Sequence, residues 1–193
     1  LYFEYHRGVM TTQANHKANM RHGEEEVENA EKWASLAWLD GRNYPAAELT
    51  EDWKKVLFNQ FHDLAAGSGI GVIYKDAQKD FDWVKMSTNG ISSSALKTVA
   101  ERVNTGGNGI PVLVYNPLGW QRSGDVTTDV QLPTDESKGV MIVDSASSRP
   151  RLPVRESVDK QTGVVHVTFH VSDVPSLGYK VVRVVSGTMA ATG

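Results

Sequence analysis

The spacing of apolar residues changes once along this chain, at the segment NTGGNG (104–109), and that change constrains the fold more than any other feature. Before it, apolar side chains recur every three or four positions; after it, they alternate with polar ones. A period near 3.6 lays one stripe along a helix, whereas a period of two covers one face of a strand, so the two halves need different architectures. The class expected is α+β: a three-helix bundle over 1–104, a linker at 105–109, and an antiparallel β-sandwich-like domain, probed by short alternating runs and incomplete, over 110–193.

Within the first half, Met20, Val27, Ala30, Ala34 and Trp38 predict one helix from about Thr11 that ends before Asp40 and Gly41. Its run Glu24, Glu25 and Glu26 reads as the wet side of that helix. Asn43, Tyr44 and Pro45 make a turn. Thr50 is the expected N-cap of a second helix, with Glu51 and Asp52 at its positive end and Trp53, Leu57, Phe61 and Leu64 as its stripe. Gly67 and Gly69 are expected to end it. A third pattern, from Ile73 through Phe81, Val84 and Ile91 to Val103, keeps its spacing across Asn89 and Gly90, so one long helix is predicted despite the interior glycine. In the second half Val126, Thr128, Val130 and Leu132, then Val165, Val167, Phe169 and Val171, then 179–185, read as strands.

The 193 residues, 40% of them hydrophobic, suffice for a core in each of two small domains. A formal charge of −3, with acids and bases interspersed, excludes a basic stripe for nucleic acid and a polybasic patch for a membrane surface. No apolar run is long enough to span a bilayer and no signal peptide is expected. The chain has no cysteine and no Asn-x-Ser/Thr sequon, which favours a bacterial protein, cytoplasmic or exported without disulfides, over a heavily glycosylated one.

The chemistry-bearing feature is KVLFNQFHDLAAGSG (55–69), where His62 and Asp63 stand together at the end of the second helical pattern, before a turn of small residues. Imidazole nitrogen and carboxylate oxygen suit zinc. Neighbours on a helix point about 100° apart, which makes Asp63 a poorer co-ligand and a better acceptor for a substrate hydroxyl. The plainer alternative has His62 packed on the flank of the helix and Asp63 solvated. His16 and His22 fall on different helix faces, and His166 and His170 share one strand face, so neither pair completes a site.

This segment resembles the zinc-binding helix of the family 38 glycoside hydrolases, the retaining α-mannosidases. LYFEYHRGVMTTQA (1–14) is similar to that family's segment leading from its catalytic barrel into the helical domain, often ELYxExHRGTYTSQ, and VYNPLGWQRSG (114–124) is similar to its (F/Y)NPLSWxRxG strand and turn. The resemblance covers most of the chain up to about Val130. It implies a zinc ion that binds the hydroxyls of a terminal mannose and is held by His62 together with a His and two Asp residues of an N-terminal catalytic barrel of the same polypeptide, one aspartate doubling as nucleophile. The substrate implied is a mannose-containing glycan. No segment here resembles the nucleophile-bearing part of that barrel, so an isolated fragment is expected to be inactive.

Substrate contacts are expected from Asp63 and, within the opening motif, from Glu4, His6 and Arg7, for which an ordinary structural role is the alternative. Met10 and Thr12 replace the commoner Tyr and Ser of that motif, which leaves subfamily and linkage open. Asn116, Pro117 and Trp120 read as a turn between strands, Trp120 covering bundle or sheet rather than stacking on a sugar. A reading of a different class is a noncatalytic carbohydrate-binding or scaffolding module of a larger glycan-processing protein.

Overall fold

In the computed structural model, residues 5–131, 139–144, 151–159 and 162–187 are described. They divide into two compact units, Leu1–Arg102 and Val103–Gly193. The first is helical: α1 (Ala14–Leu39), α2 (Ala46–Phe58), the single turn α3 (His62–Ala65) and α4 (Gly71–Ala100). The second is built of strands: β1 (Ile110–Asn116), β2 (Arg122–Gln131), β3 (Val140–Val143), β4 (Arg151–Leu152), β5 (Val154–Val158), β6 (Val164–Val174) and β7 (Gly178–Ser186). The expected α+β class, helices first and antiparallel strands after, is what the structure has.

Side-chain bonds fix the directions of the helices. Along α2, Trp53 Nε1 donates to Glu31 Oε1 at 2.9 Å and Gln60, just past its end, donates to Glu24 at 2.5 Å, so α2 runs antiparallel to α1. Asn19 donates to Gln78 at 2.8 Å and Arg102 pairs with Asp40 at 2.7 Å, so α1 and α4 run parallel. Val27, Ala30, Leu49, Val56 and Val84 pack between the three long helices, and Met20, Leu64, Ala77 and Phe81 form a second cluster around α3. α4 passes unbroken through Gly90, as the spacing predicts; its packed stripe outweighs the roughly 1 kcal/mol cost of one interior glycine.

The structure departs from several sequence expectations. α1 begins at Ala14, and Trp33 rather than Trp38 is the buried tryptophan. Thr50 is not an N-cap: it lies inside α2, which starts at Ala46, and its Oγ1 donates to the Ala46 carbonyl at 2.7 Å. The buried stripe of α2 is Leu49, Asp52 and Val56, while Leu57 and Phe61 are exposed. α2 also stops at Phe58 instead of continuing through His62.

Asp52 is fully buried, with Oδ2 accepting from the Ser87 hydroxyl at 2.7 Å and Oδ1 left without a partner. Burial raises its carboxyl pKa above the ordinary 3.8, the Ser87 bond offsets part of this, and nearby Glu48 adds to the rise. An acid with a raised folded-state pKa favours folding only while protonated. Its contribution is complete below 3.8 and is lost as pH rises through the folded-state value. Asp52→Asn should therefore raise the thermal unfolding midpoint at pH 7, and the gain should shrink to nothing as pH falls below the ordinary carboxyl range. A gain that is independent of pH would contradict this account.

The strand unit forms two antiparallel sheets, ordered β1-β7-β3-β4 and β2-β6-β5. Val130, Val165, Val167, Phe169 and Val171 from one sheet and Ile142, Val182 and Val184 from the other share one core, the arrangement of a sandwich. On the outer face of the β2–β6 ladder, Asp125 stands opposite His170, Thr127 opposite Thr168 and Asp129 opposite His166. The two imidazoles meet their carboxylates at 2.8 and 2.5 Å, so His166 and His170 pair across strands. Arg183 of β7 donates to the carbonyls of Thr105 and Gly106, which ties the glycine-rich segment to the sheet.

Asn116 closes β1. Its buried Nδ2 donates to the carbonyls of Trp120, Val174 and Pro175 at 2.8, 3.2 and 3.0 Å, and its Oδ1 accepts from the Leu118 N–H at 3.1 Å. The NPLGW turn is thus an internally bonded corner, as expected of these residues, but Trp120 is largely exposed. Asn116→Ala should cost about 3 kcal/mol, because several buried acceptors lose their donor. Asn116→Asp should cost more, since a carboxylate would face those carbonyls. Urea denaturation of the three proteins checks the order.

Candidate functional site

The Asn59–Phe61 break sets the position of His62. Phe61 is extended (φ −53°, ψ 144°), and α3 then makes one turn whose Leu64 plugs into the cluster of Met20, Ala77 and Phe81. Residues two apart on a helix point about 200° apart. Burying Leu64 therefore turns His62 outward, and its side chain is 77% exposed. Asp63 follows at 63% exposed, with Oδ2 3.6 Å from His62 Nε2. The imidazole lies against the ring of Phe61, centroids 4.1 Å apart and planes tilted by 48°. Leu57, Phe58 and Ile70 are exposed as well.

The alternative in which His62 packs on a helix flank is not what the structure has. The two side chains converge rather than diverging across a regular helix, because the turn starts at His62 itself.

The opening segment folds as turns, with the Val9 N–H donating to the His6 carbonyl and Thr11 and Thr12 N–H groups to the Gly8 carbonyl. His6 and Arg7 are exposed, and Glu4 lies outside the described residues. This segment touches the loop after α3. Gly67 has φ +78°, and a Cβ there would overlap the methyl group of Thr12. The segment is held from the other side by Lys17 Nζ, which donates to the Thr12 carbonyl at 2.6 Å. The structure thus brings the two motif segments together at Thr12 and Gly67.

Among the described residues no group of three or more His, Cys, Asp or Glu side chains is arranged to hold a metal ion. His62 and Asp63 offer one imidazole and one carboxylate, a donor set that fits part of a zinc shell and needs further ligands. An open groove of about 550 Å³ lies elsewhere, toward the C-terminal ends of α1 and α4, lined by Ala34, Ala37, Arg42, Gly90, Ser94 and Thr98. It shares no residue with the His-Asp turn.

Two residues beneath the site escaped sequence reasoning. His16 is buried, its Nε2–H donating to the Asn59 carbonyl at 2.9 Å, and burial lowers its pKa while that bond acts in the opposite direction. Asn59 is buried too, its Nδ2 donating to the Lys55 carbonyl at 2.9 Å and to Asp80 Oδ2 at 3.1 Å. The signal for His16 was available: it lies at helical spacing from Met20 and Gly23, on the buried stripe of α1.

The family profile described as the alpha mannosidase middle domain matches residues 4–99. This chain belongs to the family 38 α-mannosidases. Mouse alpha-mannosidase 2C1 is 33% identical over 125 residues, which are 64% of this chain and 12% of that protein. An alpha-mannosidase of Saccharomyces cerevisiae is 42% identical over 78 residues, 39% of this chain and 7% of its own length. Among solved structures, a glycosyl hydrolase family 38 protein from Enterococcus faecalis superposes with a TM-score of 0.74 at 16% identity, covering 96% of this chain and 26% of that one. That likeness is one of fold. This family 38 chain therefore spans a minor part of the proteins it resembles, and the matched residues include His62, Asp63, His6 and Arg7.

The contact between Gly67 and Thr12 gives a test of how the two segments are held. Gly67→Ala, strained at a positive φ and crowded by Thr12, should destabilise the helical unit by about 2 kcal/mol. Amide hydrogen exchange should quicken at residues 8–13 and 62–67 together; quickening confined to one segment would show that they are not coupled.

Proposed function

We propose that this chain is the middle helical domain and the start of the β region of a zinc-dependent retaining α-mannosidase, which hydrolyses terminal α-linked mannose of glycans. His62 supplies one zinc ligand. The remaining ligands and the nucleophile come from an N-terminal catalytic barrel of the same polypeptide. The observation that carries this reading is the outward presentation of His62 beside Asp63 on a turn whose neighbour Leu64 anchors it from below.

When bound, the zinc ion supplies Lewis-acid anchoring of sugar hydroxyls. The residues of this chain have separate tasks. His62 presents a nitrogen to the metal. Asp63, exposed next to it, accepts a hydrogen bond from a sugar hydroxyl. Phe61 backs the imidazole and limits its rotation. His6 and Arg7 lie on the segment that reaches the same loop through Thr12 and are assigned to the sugar as donors; Glu4, outside the described residues, is assigned to it as an acceptor. Retaining chemistry needs two carboxyl groups about 5 Å apart across the glycosidic bond; neither is assigned to this chain, which alone should be inactive.

The scaffolding alternative predicts a buried or unoriented pair. The exposure and convergence of His62 and Asp63 favour the catalytic reading.

The deciding experiment is His62→Ala in the full-length protein, with metal content measured by plasma emission and hydrolysis of an aryl α-mannoside followed in parallel. Loss of bound zinc together with loss of turnover is expected. Full zinc content with unchanged turnover would reject the ligand role.

A further inference from the structure

We propose that His16, Asn59 and Asp80 act as a positioning unit that ends α2 at Phe58 and thereby sets where the His62 imidazole emerges, an inference that rests on the reading of His62 as a metal ligand.

Nothing local requires a helix to stop here. The segment VLFNQFHDLA (56–65) contains neither glycine nor proline, and its apolar residues permit a continuous helix. In such a helix the Asn59 carbonyl would accept the Asp63 N–H. In the structure it accepts from His16 Nε2 instead, 43 residues earlier in the chain. The next donors tighten to three-residue spacing, Gln60 N–H to the Leu57 carbonyl and Phe61 N–H to the Phe58 carbonyl, both at 3.2 Å, before Phe61 becomes extended. The acceptor that would have propagated α2 is taken by an imidazole of α1.

Both partners of this bond are themselves held. The His16 ring meets Tyr74 and Phe81 edge-on, with centroids 5.3 and 5.6 Å away, so it has little freedom to rotate. Asn59 is tied through Nδ2 to Asp80, which also pairs with Lys55 at 2.6 Å. Burial works against ionisation of Asp80, but the bonds from Lys55 and Asn59 outweigh it and keep its carboxyl below the ordinary range, so a charged acceptor is present at neutral pH. Tyr74 adds a second hold: its hydroxyl accepts from the Gly69 N–H at 3.1 Å and lies 3.4 Å from the Asp63 carbonyl. The carboxylate of Asp80, the amide of Asn59 and the imidazole of His16 thus fix the backbone at Asn59, just ahead of the His-Asp turn, without touching the site. Groups behind a metal ligand commonly change metal affinity 10–100-fold when removed.

The test uses the full-length protein, with zinc affinity measured by chelator competition and amide exchange followed at residues 59–65. His16→Phe keeps a ring against Tyr74 and Phe81 and removes the donor; zinc should bind at least about tenfold more weakly and exchange at 59–65 should quicken. His16→Gln, whose Nε2 can replace the donor, should restore affinity to within about threefold of the parent on the same scale. Val84→Ala, a cavity in the cluster of Val27, Leu49 and Val56 that removes none of the unit's hydrogen bonds, should lower the melting temperature and leave zinc affinity unchanged. If His16→Phe does not fold, Asp80→Ala decides, with the same loss expected.

A folded His16→Phe protein that binds zinc as tightly as the parent overturns the inference, as does a Val84→Ala protein that loses as much affinity. His62→Ala separates the two levels. If it holds its zinc, the ligand reading fails and this inference with it. If it loses zinc while His16→Phe does not, only the positioning unit fails.

Discussion

The helical unit depends on how one buried carbonyl, that of Asn59, is satisfied. A backbone acceptor removed from water must find a donor, and along α2 two were within reach: the amide four residues ahead, which would have continued the helix, and the imidazole of His16. The choice of His16 ends α2, frees the chain to extend at Phe61 and lets Leu64 enter the cluster of Met20, Ala77 and Phe81. From that follow the separate turn α3, the outward direction of His62 and the contact of the Gly67 loop with the opening segment.

The same unit carries a second buried polar group with the opposite character. Asn59 uses both side-chain N–H groups and its backbone carbonyl in bonds, whereas Asp52 keeps one oxygen without a partner inside the bundle. An unmet oxygen contributes nothing to specificity in the way a completed network does. The two residues, seven apart on one helix face, show that burial of polar atoms between α2 and α4 is tolerated at one site and exploited at the other.

Much of this architecture was legible in the chain. The change of period at 104–109 separates helices from strands, and α1, α4, β6 and β7 were read close to their observed bounds, whereas β2, read from Val126, begins at Arg122, and Leu132 lies outside the described residues. What was not legible has a common cause. The stop at Phe58 depends on a residue of another helix, and the local sequence carries only a weak sign of it in Asn59, a residue that favours helix ends. The displaced stripe of α2 has the same origin, because Asp52 and Asn59 face inward by virtue of Ser87, Asp80 and His16, whereas Leu57 and Phe61, apolar and well spaced, face out. Trp33 follows Ala30 and Trp38 follows Ala34 at helical spacing, and packing decides for Trp33. Of the candidate site, the identity of His62 and Asp63 came from resemblance to a known family; their exposure and convergence came from the fold.

In the strand unit, the ladder of β2 and β6 carries Asp125–His170, Thr127–Thr168 and Asp129–His166 as consecutive opposed pairs on its outer face. Slide one strand by two residues and the inward valines still face inward, so hydrophobic burial alone would accept the error. Both imidazoles, however, would then sit across from a hydroxyl or an amide and lose their carboxylates. The polar side of the sheet thus works as a vernier: it reads alignment to a precision that the greasy side cannot, and rejects the nearest misfolded neighbour.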